Sequence, residues 1–161
     1  MANFINRKPN RLNNFDYNSN GIYAVTFCTK NRECILSIVG AVALDRPQII
    51  LSEIGKILDS TIVIQNKSGI TIQNYVIMPN HVHLLICIDN CRRSGATAPT
   101  IQQVVKNIKS FVTKKVGRQI WQKGFHDRII RNDCEHQSMY DYINFNPSKW
   151  LEDKYFSDDL L

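Results

Sequence analysis

Runs of apolar residues divide the chain into strand-like and helix-like stretches. Ile22-Tyr23-Ala24-Val25-Thr26-Phe27-Cys28-Thr29 is rich in β-branched and aromatic residues, follows Gly21 and ends in Lys30-Asn31-Arg32. It reads as a first strand. Residues 34–50 hold two shorter apolar stretches around Gly40 and Asp45-Arg46-Pro47, consistent with a hairpin excursion. Ser52 is placed to cap a helix whose apolar stripe is Ile54, Ile57, Leu58 and Ile62. Two further strands run from Ile70 to Ile77 and from His81 to Ile88, and the short Met78-Pro79-Asn80 link makes them antiparallel neighbours. After a polar, small-residue loop over Ser94–Ala98, Thr100 caps a second helix with Ile101, Val104, Val105, Ile108 and Val112 at helical spacing, closed by Gly117. Phe125–Arg131 is a short strand, and Asp133 opens a last helix that stops at Asn146-Pro147.

The order strand, helix, strand, strand, helix, strand, with a helix appended, is the split β-α-β pattern of ferredoxin-like folds. It predicts an α+β domain with an antiparallel sheet, two long helices on one face, and a separate C-terminal helix. The 161 residues fit one domain, with the Asn-rich residues 1–20 as an irregular arm and 151–161 as a tail. No apolar run approaches the roughly 20 residues of a membrane span, and the N-terminus has no signal-peptide pattern. Five cysteines at irregular spacing argue for reduced thiols, so a cytoplasmic location is expected.

Charge is distributed unevenly. Between positions 92 and 131, ten basic residues (Arg92, Arg93, Lys106, Lys109, Lys114, Lys115, Arg118, Lys123, Arg128 and Arg131) face only Asp127. That segment carries +9 within a chain of net +6, so the remainder is −3. A polyanion, most simply nucleic acid, is the expected partner, against the plainer reading of a solvated helix face. Trp121 and Phe125 lie in this segment, where they would stack on unpaired bases, with core packing the alternative for Phe125.

His81 and His83 are two apart on a strand and point to one face, which makes half of a metal site. Cys87 follows on the same face but roughly 13 Å along the strand, too far to share one ion. On the last helix Tyr142 and Asn146 are four apart and share a face, whereas Tyr140 leaves at about 200° from Tyr142. Two neutral imidazoles and one amide oxygen would leave a divalent cation its full charge and open positions for phosphate oxygens. A phenol one turn away could then attack phosphorus.

Met78-Pro79-Asn80-His81-Val82-His83 resembles the His-hydrophobe-His signature of the HUH nucleases. Trp121-Gln122-Lys123-Gly124-Phe125-His126-Asp127-Arg128-Ile129-Ile130-Arg131 and Tyr142-Ile143-x-x-Asn146-Pro147-x-x-Trp150 resemble later motifs of the single-tyrosine transposases. Their order and spacing are most similar to the REP-associated branch, over about Gly21–Trp150. The resemblance implies a Mg²⁺ or Mn²⁺ site at His81, His83 and Asn146, and Tyr142 as nucleophile. It implies cleavage and rejoining of hairpin-bearing single-stranded DNA through a 5′-phosphotyrosine, by a monomer or a homodimer. His126 is open between a ligand, a proton shuttle and a polar neighbour of DNA. A binding module of the same fold without chemistry is the alternative. A metallohydrolase would need carboxylate ligands that do not lie near the His pair in sequence.

Overall fold

The computed structural model describes residues 20–40, 47–67, 69–89 and 100–152. Arg92, Arg93, the Ser94–Ala98 loop and nearly all of the expected arm and tail lie outside them. Strands β1 (Gly21–Cys28), β4 (Ile70–Ile77), β5 (His81–Ile88) and β6 (His126–Ile130) form one antiparallel sheet in the order β4-β5-β1-β6. Strands β2 (Ser37–Gly40) and β3 (Gln48–Leu51) form the expected excursion as a separate hairpin. Helices α1 (Glu53–Ile64), α2 (Ile101–Val116) and α3 (Asp133–Phe145) complete the α+β fold. No helix among the described residues is long and apolar enough to cross a membrane.

Alternation along β5 assigns the two faces of the sheet. Val82, Leu84, Ile86 and Ile88 point into the main core with Leu58 and Ile62 of α1 and Val104, Val105, Ile108 and Val112 of α2. His81, His83 and Leu85 point the other way. There Leu85 joins Ala24, Val76, Met78, Ile130, Ile143 and Trp150 in a smaller cluster beneath α3. The two long helices therefore share one face, and the tyrosine-bearing helix covers the opposite one.

Local chemistry fixes the helix ends. The Ser52 hydroxyl accepts from the Gly55 amide and the Thr100 hydroxyl from the Gln103 amide, as expected of N-caps. Gly117 closes α2 at φ +75°, a left-handed conformation that suits glycine. Gly55 is needed for a different reason: a Cβ there would run into the Leu36 carbonyl oxygen. Helix α3 ends at Asn146-Pro147 as expected, with Asn146 as its C-cap. Although Pro147 follows, Asn146 keeps helical dihedrals (φ −56°, ψ −42°), and the chain continues as a 3-10 turn over Pro147–Glu152. The bias of a pre-proline residue against helical geometry is overridden where Asn146, Ile143 and Trp150 are all buried against the sheet.

Candidate active site

The sheet brings the two histidines into a fixed pair. The Pro79-Asn80 turn is closed by the Met78 amide donating to the His81 carbonyl at 2.9 Å. Its carbonyls are held in turn: that of Asn80 accepts from the Thr29 amide and that of Pro79 from the Leu36 amide, both at 2.9 Å. His81 and His83 are 0% and 5% exposed, with ring centroids 4.7 Å apart. Each uses Nδ1 inside the protein. His81 Nδ1 lies 2.9 Å from Asn80 Oδ1, and His83 Nδ1 lies 2.7 Å from Thr26 Oγ1 on the neighbouring strand. Both imidazoles are therefore left with Nε2 for the site.

Helix α3 is fastened over this pair by polar contacts to β4. Asn74 Nδ2 donates to the Tyr140 carbonyl and to Asn144 Oδ1, while Gln73 Oε1 meets His136 Nε2 at 2.9 Å. Gln73 is the residue left over where the β4–β5 register shifts between Ile72 and Asn74, and the irregularity turns it toward the helix. Seated this way, α3 sets the Tyr142 ring 5.1 Å from that of His83, with Tyr142 Oη 3.4 Å from His83 Nε2. Eight residues on, the Trp150 ring lies 6.0 Å from that of His81. The helical segment thus runs along the His83-to-His81 direction, with Asn146 midway in sequence between Tyr142 and Trp150. Asn146 is 2% exposed.

The other described tyrosines are placed differently. Tyr23 is fully buried in the main core. Tyr75 donates to Asp59, and burial followed by that carboxylate pushes its phenol up to about 12. Tyr140 stands near His136 on another side of α3, with ring centroids 6.3 Å apart. Tyr142 alone among them is both 40% exposed and in contact with the histidine pair.

The two imidazole Nε2 atoms are of the kind that can ligate a divalent cation. Three buried side-chain atoms, His81 Nε2, Asn146 Oδ1 and, away from the pair, Gln65 Oε1, make no hydrogen bond among the described residues, and both His81 and Asn146 interact with other groups. Among the described residues no three His, Cys, Asp or Glu side chains converge.

A cleft of about 300 Å³ opens beside the tyrosine, lined by Thr26, His83, His126, Arg128, Met139 and Tyr142 among others. His126 and His83 both pair with Thr26, so the three residues form one row across the sheet. Sequence reasoning leaves His126 open and misses Thr26, Asn80 and Met139. Strand register supplies the signal for Thr26, but only once the pairing is known.

The basic segment divides into several roles. Lys106, Lys114, Lys115, Lys123 and Arg131 are exposed, whereas Arg118 pairs with Glu33 at 3.7 Å and Arg128 with Glu135 at 3.5 Å. Two residues expected to contact DNA, Trp121 and Lys109, are engaged within the fold. Trp121 is 2% exposed, meets Phe27 edge-to-face at 5.2 Å and donates Nε1–H to the Lys109 carbonyl, so its ring offers no face to a base. Lys109 Nζ donates to the carbonyls of Gln122 and Gly124, both at 2.7 Å, and burial pushes its ammonium down to about 8. It ties α2 to the turn before β6.

No protein-family model matches the chain. An uncharacterized protein from Haemophilus influenzae is 27% identical over 174 residues, covering 94% of each sequence. Among solved structures, a REP-associated tyrosine transposase bound to a REP hairpin superposes with a TM-score of 0.60 at 23% identity, over 80% of this chain and 67% of that one. The chain therefore shares the fold of a REP-associated tyrosine transposase, and the resemblance read from the motifs holds at the level of the fold.

Proposed function

We propose that the chain is a transposase or endonuclease of the HUH single-tyrosine kind, acting on hairpin-bearing single-stranded DNA. The observation that carries this reading is the 3.4 Å approach of the Tyr142 hydroxyl to His83, beside a second strand-borne imidazole. The shared fold and the REP hairpin held by the structural neighbour support the choice of substrate. His81, His83 and Asn146 would hold Mg²⁺ or Mn²⁺. When bound, the cation would draw charge from a non-bridging phosphate oxygen and ease ionisation of the phenol, whose free pKa is about 10.

The protein's own residues supply the rest. Tyr142 Oη attacks phosphorus; an Oη–P bond forms and the P–O3′ bond breaks. The phenolic proton is lost and the departing 3′ oxygen gains one, leaving a 5′-phosphotyrosine and a free 3′-hydroxyl. One phosphodiester replaces another, so a 3′-hydroxyl can reverse the step and rejoin strands, which hydrolysis would forfeit. Arg128 and His126 border the cleft where the scissile strand would enter. One chain supplies all four site residues, which supports a site assembled in cis.

The test separates chemistry from binding. His81→Ala is expected to abolish cleavage of hairpin DNA with Mn²⁺ while DNA binding persists, because phosphate contacts elsewhere carry affinity. Equal loss of both, in a variant shown by circular dichroism to be folded, would assign His81 a structural role. Binding by wild type without cleavage would favour the binding-module alternative.

A further inference from the structure

The two imidazoles are held by different neutral partners, and the consequences differ. Asn80 is 0% exposed. Its Nδ2 donates to the Arg32 carbonyl at 3.2 Å, which fixes the amide with Oδ1 toward His81 Nδ1. An amide oxygen only accepts, so His81 carries its proton on Nδ1 and its lone pair on Nε2. Thr26 Oγ1, 2.7 Å from His83 Nδ1, can donate or accept. Once the Nε2 lone pair of His83 is committed to a cation, Nδ1 must carry the proton, and Thr26 is the acceptor.

We infer that Asn80 and Thr26 are positioning residues, Asn80 setting the tautomer of His81 and Thr26 holding the ring of His83, so that both Nε2 lone pairs converge beside Tyr142. This rests on the proposed metal-dependent reading. Neither partner is a carboxylate, so neither adds negative charge, and a cation in the site keeps its attraction for phosphate. Thr26 also ties the ring to the sheet. It pairs in register with His83 on one side and His126 on the other, so the orientation of His83 is tied to the β1–β5 register.

Two measurements test this. In the metal-free protein, two-bond ¹H–¹⁵N imidazole spectra are expected to show His81 as the Nδ1–H tautomer; an Nε2–H tautomer would overturn the role of Asn80. Thr26→Val keeps the side-chain shape but removes the acceptor. Its Mn²⁺ affinity, by titration calorimetry, is expected to fall 10- to 100-fold at an unchanged melting temperature. Thr26→Ser is expected to restore it. Wild-type-like Mn²⁺ affinity in Thr26→Val, or no recovery in Thr26→Ser, would overturn the role of Thr26. Failure of wild type itself to bind Mn²⁺ would instead overturn the metal-dependent reading, while the His81 tautomer result would stand or fall independently.

Discussion

At the scale of single residues, spacing identifies the histidine pair and the tyrosine that the fold brings together but not the side chains that hold them. His81 and His83 are legible because alternation along a strand is strict, and Tyr142 and Asn146 because four residues make nearly one helical turn. Asn80 and Thr26 are not legible as partners, since a hydrogen bond across strands depends on register. Lys109 shows the converse. In the sequence it is one of ten basic residues, yet in the fold its ammonium is half-buried against two carbonyls. This has a consequence for pH. Burial holds its pKa at about 8, below the ordinary value of 10.5. Between those values the unfolded chain binds a proton that the folded chain does not, so this group makes stability rise with pH across that window. Urea midpoints at pH 8 and pH 10 are expected to show wild type gaining stability relative to Lys109→Met; a pH-independent difference between the two would contradict the assignment.

At the scale of elements, the pattern predicts β4 and β5 to the residue. Two apolar runs flank Pro79-Asn80, which permits only a turn. The stop of α3 at Asn146-Pro147 is legible too, but the helical dihedrals of Asn146 are not, because the local preference of a pre-proline residue yields to burial of Asn146 and Trp150. The fastening of α3 by Gln73 and Asn74 is invisible in the sequence, since it depends on an irregularity in the β4–β5 register. The first turn of α1 gives a direct test of packing. Gly55→Ala would normally favour a helix, but here the added methyl meets the Leu36 carbonyl oxygen. A loss of about 1–3 kcal/mol in chemical denaturation is expected, the usual cost of overpacking. A stabilised Gly55→Ala protein would show that the start of α1 is looser than described.

At the scale of the whole molecule, the sheet separates two surfaces. The histidine pair lies under α3, while Lys106, Lys114 and Lys115 lie on α2, which packs on the opposite face. DNA bound to both must pass round an edge of the sheet, and β6 is the edge strand that carries Arg128 and His126. Replacing Lys106, Lys114, Lys115 and Lys123 together is expected to weaken single-strand binding and flatten its salt dependence, by roughly 0.7 in slope for each phosphate that is no longer neutralised. An unchanged slope would make these lysines a solvated helix face. The central claim is that the Tyr142 hydroxyl is the nucleophile, and trapping the covalent adduct tests it most directly. Wild type, Tyr142→Phe and Tyr140→Phe are incubated with hairpin-bearing single-stranded DNA and Mn²⁺, then run on a denaturing gel. Tyr142→Phe loses one oxygen and keeps the ring against His83, so it is expected to fold, bind DNA and form no adduct, while wild type and Tyr140→Phe both form one. An adduct in Tyr142→Phe, or its absence in Tyr140→Phe alone, would contradict the account.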